Sequence, residues 1–393
     1  MLSVHDITLI KATIPLLETG GEALTTHFYR ILLEDYPEIR PLFNKTHQAS
    51  GDQARALANG ILMYARHIDR LEQLGGLVST IVNKHVSLQI LPEHYGPVGA
   101  ALLRSIREVL GPDVATDDII AAWGAAYGQL ADILIGTEEK IYSAKEAATG
   151  GWRGGRRFRI DRKEQESTEI TSFYFSPVDG GVIADFEPGQ YIGLRLMIAG
   201  LEVRRNYSLS AHADGQHYRI SVKREPNGQV SNFLHDHMHE GDTLELFPPA
   251  GDFTLQANDK PLVLISAGVG ITPMISILTA ALKTDRPIHF IHCARRSDVH
   301  AFRDWVDALA EEHPQLQRFY CYDAHHSATG KPDATGLLSR NTLAAWMPES
   351  RDVDAYFLGP KPFMANIKRY LKDLQVPETQ IRYEFFGPAS ALD

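Results

Sequence analysis

The pattern of apolar and polar positions divides the chain into three stretches. Through residue 143, apolar residues recur every three or four positions, the period of helices that bury one face. Between Gln53 and Ile68 the stripe is Leu57, Ile61, Tyr64 and Ile68; between Val78 and Leu88 it contains Ile81, Val82 and Leu88. A last helix, opened by a Thr116 cap, carries Trp123, Tyr127, Leu130, Leu134 and Ile141. Pro37, Pro41, Pro92 and Pro112 stand near the joints, where a helix has to start or stop. From about Arg157 to Leu255 short β-like runs alternate with turns: EITSFYFSPV, PGQYIGLRL, EVRRNYSLS, HYRISVKRE and DTLELFPP. That spacing predicts an antiparallel barrel. From Lys260 onwards PLVLISAG leads into TPMISILTAAL, PIHFIHCA into HAFRDWVDALAEE, and DAYFLG into PFMANIKRYLKDL. Apolar strands alternating with amphipathic helices predict a doubly wound parallel sheet.

The predicted organisation is therefore multidomain. An all-α domain spans residues 1–143, a linker 144–156, a β-barrel 157–256 and an α/β domain 257–393. The linker is placed where four glycines fall within six residues, Gly150 to Gly155, without apolar periodicity.

Composition narrows the function. A chain of 393 residues with 44% hydrophobic and 22% charged content is a soluble globular type. Its net charge of −10 argues against nucleic acid, whose phosphates need a basic face. Two cysteines, Cys293 and Cys321, form at most one bridge and cannot supply the four thiolates of an iron–sulfur cluster. The N-terminus lacks a basic region followed by an apolar core, and no apolar run approaches the ~18–20 residues of a membrane span. The expectation is a cytoplasmic monomer with no transmembrane segment.

The chemistry starts at the strand LVLIS, which runs straight into A-G-V-G-I-T-P. Gly268 and Gly270, with Val269 between them, let the backbone approach a pyrophosphate. Ile271, Thr272 and Pro273 open a helix whose free N–H groups face that charge, with Thr272 as the expected cap and Pro273 in the first turn. The bland reading, a tight structural turn, stays open on this segment alone.

Four further segments share a logic. Arg205, Asn206, Tyr207 and Ser208 offer a cation for phosphate, an aromatic face and a small donor. P-G-Q-Y ends at Tyr191, and G-Q-V-S places Gln229, Val230 and Ser231 after Gly228. The C-terminal Y-E-F-F-G-P contains Glu384, Phe385, Phe386, Gly387 and Pro388. In chain order, with P-G-Q-Y first, then R-N-Y-S, G-Q-V-S, the glycine turn and the C-terminal segment, the set resembles the ferredoxin–NADP reductase superfamily over about 240 residues. The resemblance implies that these residues hold FAD and that Gly268 to Pro273 hold NADH or NADPH. Leu358 and Phe385 stand where the superfamily commonly has cysteine.

In the helical part, His85 shares a face with Val78, Ile81, Val82 and Leu88. It suits a core histidine or a haem ligand. Gln53 heads an apolar stripe, Tyr29 sits among apolar residues in HFYRILL, and Glu138 follows Ala131 and Ile135 at helical spacing. A buried carboxyl is costly without a partner, so the polar set asks for a common cause. The domain resembles the globin of the flavohaemoglobin family. That resemblance implies haem b with His85 as iron ligand, Phe43 packing on the haem, and Lys84 near the flavin side. It also implies Tyr29 and Gln53 above the haem beside Leu57, with Tyr95 and Glu138 orienting His85. W-G-A-A-Y-G at Trp123 and G-G-W ending at Trp152 fall at the family's final helix and junction.

The activity so implied is nitric oxide dioxygenation: NO and O₂ become nitrate with electrons passed from NAD(P)H through FAD. The alternative is a haem-based oxygen carrier or sensor with an attached methaemoglobin-type reductase. With no iron–sulfur cluster available, electrons pass directly from flavin to haem in either case.

Overall fold

The computed structural model describes residues 2–43, 51–211, 214–324, 331–387 and Leu392, without the side chain of Asp52. Among the described residues, six α-helices form the first part: α1 Val4–Ala12, α2 Ile14–Asp35, α3 Asp52–Arg66, α4 Gly75–Leu88, α5 Tyr95–Leu110 and α6 Asp117–Ala147. Their caps follow the sequence. Ser3 and Asp6 form a reciprocal capping box, and the Thr116 hydroxyl accepts from the Ile119 amide. The core gathers Leu24, Phe28, Ile31, Leu32, Ile39, Leu102, Ile106 and Trp123. By length and composition α6 is apolar enough to cross a membrane, which corrects the expectation that no run comes close. Here it packs against α1, α4 and α5 and buries Glu138 to 2% exposure.

Six strands follow: β1 Arg156–Gln165, β2 Ile170–Pro177, β3 Tyr191–Ile198, β4 Leu201–Ser208, β5 Tyr218–Lys223 and β6 Thr243–Leu246. They form an antiparallel sheet in the order β4-β3-β6-β1-β2-β5. A bridge between Leu209 and Ile220 brings its two edges together, closing the predicted barrel. Helix α7, Gln229–His237, is inserted before β6. β1 escapes the apolar pattern because only Phe158 and Ile160 of its ten residues are buried.

The last part contains a parallel sheet in the order β10-β9-β8-β7-β11-β12. Its strands are β7 Leu262–Ala267, β8 Ile288–Ala294, β9 Leu316–Tyr322, β10 Ala334–Thr335, β11 Asp354–Leu358 and β12 Ile381–Tyr383. Helices α8 Ile271–Ala281, α9 Arg303–Glu312, α10 Arg340–Trp346 and α11 Lys361–Asp373 alternate with them. The two apolar clusters of this part share the strands between them, one with Leu262 and Leu264, the other with Val263 and Ile265. That is the signature of a sheet covered on both faces.

The glycine-rich stretch is not the open linker that its composition predicts. α6 continues through Ala147, and β1 opens at Arg156. Between them Trp152 is buried in the barrel core and donates to the Leu246 carbonyl at 3.2 Å. A side chain at Gly151 would overlap the Lys145 carbonyl, so this glycine serves close packing. Arg153 pairs with Glu139 at 2.5 Å, fastening the junction back onto α6.

The helical part and the barrel are in direct contact. Arg204 donates to the carbonyls of Leu88 at 2.5 Å and Gln89 at 3.3 Å, placing a cation at the C-terminal end of α4. Asn206 donates to the Ser87 hydroxyl at 2.8 Å, and Ser79 to Asp252 at 3.1 Å. At Gly193 a Cβ would collide with the Ser87 carbonyl and the Phe247 ring. Gly193→Ala is therefore expected to cost ~1–3 kcal/mol through overpacking. A lowered thermal midpoint checks this; an unchanged one would show that the close approach is dispensable.

Candidate active site

His85 stands in the last turn of α4, whose backbone reverses at Gln89 with φ +56°. The Ile90 amide returns to the His85 carbonyl at 2.9 Å, and the Tyr142 hydroxyl donates to the Ile90 carbonyl at 2.8 Å. This end of the helix is thus fixed from α6 as well as from the barrel. The ring itself is fixed by its Nδ1, 2.7 Å from Glu138 Oε1 and 3.1 Å from the Tyr95 hydroxyl. Tyr95 donates to the same Glu138 oxygen at 2.6 Å. Burial, reinforced by that carboxyl, pushes the Tyr95 phenol upward, so it stays a donor. With Oε1 accepting from both groups, the imidazole proton belongs on Nδ1, and Nε2 keeps its lone pair for a metal. The His85 side chain keeps 31% exposure, whereas Val82 and Val86 on the same helix are 1% exposed. An open imidazole nitrogen beside a buried apolar wall fits an iron porphyrin.

The opposing set comes from α2, α3 and the short helix before Phe43. Thr25 donates to the Ala54 carbonyl at 2.8 Å, pinning the first turn of α3 against α2 one turn before Tyr29. Gln53, half-buried, lies in that turn. Tyr29 is buried and meets Phe43 edge to face at 5.6 Å. Its hydroxyl has no hydrogen-bond partner among the described residues, and burial pushes it upward, so it remains protonated. Leu57 and Phe43 pack on the cluster that contains Tyr29. That cluster and the one around Val82, Val86 and Tyr95 share Val78, Tyr127 and Leu130. The structure so sets Tyr29 with Phe43 and Leu57, next to the α3 turn that carries Gln53, on one apolar cluster, and His85 with Tyr95 and Glu138 on a second that shares residues with it.

On the barrel side, β3 and β4 pair with Tyr191 opposite Ser208 and Ile192 opposite Tyr207. Alternation along β4 separates two tasks. Arg204 and Asn206 reach the helical domain, as described above, and Arg205 and Tyr207 lie on the other face. Burial pushes the Arg205 guanidinium down, with nearby Tyr207 opposing, and no acidic side chain pairs with it among the described residues. The Ser208 hydroxyl and Asn206 Oδ1 are sealed from solvent without hydrogen-bond partners among the described residues. Gln229, Val230 and Ser231 form the first turn of α7, with Gly228 as its cap, so the expected loop is a helix N-terminus. A buried cation, an orphaned hydroxyl and free amides fit a flavin diphosphate and ring.

The C-terminal segment closes on this face. Lys84 of α4 donates to the Gly387 carbonyl, and desolvation pushes its ammonium down against the pull of Glu384 and Asp252. Burial pushes Glu384 up to about 8; one of its oxygens is sealed without a partner among the described residues. Phe385 is half-buried against Tyr383 at 5.8 Å, Phe386 is exposed, and Pro388 lies outside the described residues. Because the folded Glu384 holds its proton up to about pH 8 and the unfolded one releases it near 4.5, its stabilisation is complete at low pH. It is lost as pH rises through about 8. Glu384→Gln is expected to remove this slope. Relative to that variant, the wild type should lose several degrees of thermal midpoint between about pH 5 and pH 9. Parallel curves would sink the assignment.

In the glycine turn, Gly268 has φ +55° and open space where a side chain would stand. Gly270 instead lies so close to the Leu358 carbonyl that a Cβ would overlap it. The first glycine leaves room for a ligand and the second packs helix on strand. Leu358 is buried at the end of β11. One expectation fails: Thr272 does not cap α8. The helix opens at Ile271 after Gly270, and the Thr272 hydroxyl donates back to the Val269 carbonyl at 3.0 Å. The glycine 3₁₀ turn starts the helix two residues early, leaving Thr272 inside it. Pro273 does sit in the first turn.

Comparison with known proteins divides the chain the same way. The Globin model matches residues 26–134, the oxidoreductase FAD-binding domain model residues 157–255 and the oxidoreductase NAD-binding domain model residues 264–369. Over 393 residues, the whole of both chains, the sequence is 69% identical to the flavohemoprotein of Pseudomonas putida. It is 65% identical, again over both full lengths, to that of Pseudomonas aeruginosa. The chain belongs to the flavohemoprotein family. The flavohemoglobin of Malassezia yamatoensis, solved with FAD and haem bound, superposes with a TM-score of 0.86 at 27% identity, covering 98% of this chain and 100% of that one. The FAD/NAD-binding domain of a nitric oxide dioxygenase from Vibrio cholerae covers 60% of this chain and 100% of its own at 36% identity, with a TM-score of 0.56.

In this flavohemoprotein the sequence reading missed the supports of the site. Tyr142 lies one turn beyond Glu138 and holds the end of α4. Tyr127 donates to the Tyr95 carbonyl at 2.6 Å. Ser87 and Arg204 join globin to barrel. Ser87 carried a usable signal, since it follows Lys84 by three residues on the same helix.

Proposed function

We propose that this flavohemoprotein is a nitric oxide dioxygenase, turning NO and O₂ into nitrate with electrons taken from NADH. Haem b supplies the oxygen site, and FAD converts the electron pair of a nicotinamide into single electrons. His85 is the residue to hold iron through Nε2, and the carrying observation is the buried Glu138 that shares one oxygen with His85 and Tyr95. A carboxyl hydrogen-bonded to the ligand imidazole raises its basicity and pushes electron density toward the iron, which favours oxygen activation over carriage. With haem bound, the Tyr29 hydroxyl would donate a hydrogen bond to the oxygen substrate while keeping its proton, with Gln53 assisting. Arg205 and the α7 amides take the flavin diphosphate, Tyr207 and Tyr191 pack the ring, and Ser208 donates to it. Lys84 and Gly387 keep the globin against the flavin cover.

NADH is preferred to NADPH in this reading. Arg295 and Arg296 follow β8, where an arginine serves a 2′-phosphate. Arg295 is engaged by Glu169, and Arg296 holds both oxygens of Asp298 at 2.8–2.9 Å. Supplying NO and NADH in air tests the whole. Nitrate should form at about two per NADH, since each turnover takes one electron. NADH oxidation without nitrate would leave an oxygen carrier with a repair reductase.

A further inference from the structure

Both cysteines of the chain stand side by side in the parallel sheet. β8 and β9 pair with Cys293 opposite Cys321, and residues in register on parallel strands point to the same face. Neighbouring strands lie ~4.8 Å apart, inside the ~4.4–6.8 Å between Cα atoms that a disulfide spans. Cys321 is buried, and its thiol donates to the Gly336 carbonyl at 3.1 Å; Cys293 is half-buried. Of the two residues, Cys293 keeps the greater exposure. The place matters too. Cys293 also pairs with Ala267, the residue before Gly268. The row Ala267–Cys293–Cys321 thus crosses the carboxyl edge of the sheet beside the glycine turn.

We propose that Cys293 and Cys321 form a reversible disulfide that weakens nicotinamide nucleotide binding at the adjoining turn. The second half rests on the reading of Gly268 to Gly270 as the pyrophosphate site. The oxidant is a small disulfide such as oxidised glutathione. The Cys293 thiolate attacks one of its sulfurs, forming a mixed disulfide and releasing one glutathione thiolate. Cys321 then attacks the Cys293 sulfur, closing the bond and releasing the second. The two electrons lost by the cysteines reduce the glutathione disulfide, and their two protons pass to the glutathiones released. Closing the bond removes the S–H that the Gly336 carbonyl accepts and ties the end of β8, beside Ala267, covalently to β9.

The holoprotein, incubated with oxidised glutathione and digested without reduction, tests both halves. The expected product is a peptide pair joining Cys293 to Cys321, about 2 Da lighter than the separate reduced peptides, because two hydrogens are lost. Dithiothreitol should abolish it. KM for NADH should rise severalfold in the oxidised protein and return on reduction, while Cys293→Ser holds its KM throughout and Cys321→Ser stops at the mixed disulfide of Cys293 with glutathione. A final state with Cys293 glutathionylated, or with both thiols still open to alkylation, overturns the disulfide. A joined peptide with unchanged KM overturns the coupling. Because the bond is read by mass, its absence leaves the dioxygenase reading standing, and that reading fails separately on nitrate yield.

Discussion

Replacing His85 by Ala is expected to strip the protein of haem while leaving NADH-dependent flavin reduction intact. The imidazole is presented by three independent restraints: the Glu138 and Tyr95 contacts at Nδ1, the helix end held by Tyr142, and the Arg204 cation from the barrel. Partners of a metal ligand typically matter by ~10–100-fold in affinity, and the ligand itself exceeds that. The barrel and the parallel sheet keep their own cores, built from Phe158, Phe173 and Tyr218 in one and Leu264, Ile275 and Phe290 in the other. Their flavin chemistry therefore survives. A cost in globin stability of ~1–3 kcal/mol is also expected, since Glu138 loses one of its two partners. Soret absorption and bleaching of the flavin band by NADH are measured on the same sample. A variant that keeps its Soret band unchanged removes His85 as ligand. Where His85→Ala folds poorly, His85→Gly with added imidazole tests the same point, because the free base should restore the band.

The residues carrying this prediction were legible before the fold was. Glu138 is a carboxyl on the apolar face of a helix, and such a group needs a partner; His85 and Tyr95 are what it found. The helices and the strand–helix repeats were legible because their apolar periods are clean. β1 was not, because Arg156, Arg157, Arg159 and Arg162 obscure an alternation carried by Phe158 and Ile160 alone. The start of α7 read as a loop, since Gly228 and Gln229 look like turn residues and the helix is only nine residues long. The junction misled for a different reason. Glycine in sequence reads as freedom, whereas Gly151 is there because the Lys145 carbonyl leaves no space. The domain contacts were the least visible. Ser87, Gly193 and Arg204 act across more than a hundred residues of chain, and no local pattern distinguishes them from a solvated serine, a strand glycine or a surface arginine.

Replacing Tyr29 by Phe separates the chemistry of the pocket from its packing. The phenol is buried beside Phe28 and Phe43, so the ring does the packing and Phe preserves its shape. The hydroxyl makes no hydrogen bond among the described residues, and its removal should leave stability unchanged or slightly raised, since an unpaired buried donor is costly. Burial pushes the phenol upward, which keeps it a proton donor at any working pH. A hydrogen bond to a group bearing negative charge is worth ~1.5–3 kcal/mol. At about 1.4 kcal/mol per factor of ten, oxygen should leave the variant roughly tenfold to a hundredfold faster. Nitrate formation should fall in parallel, while thermal midpoint and flavin reduction hold. Faster oxygen loss with unchanged melting places the role in the hydroxyl alone. An oxygen off-rate equal to that of the wild type would take Tyr29 out of the mechanism and leave Gln53, in the first turn of α3, as the donor on that side.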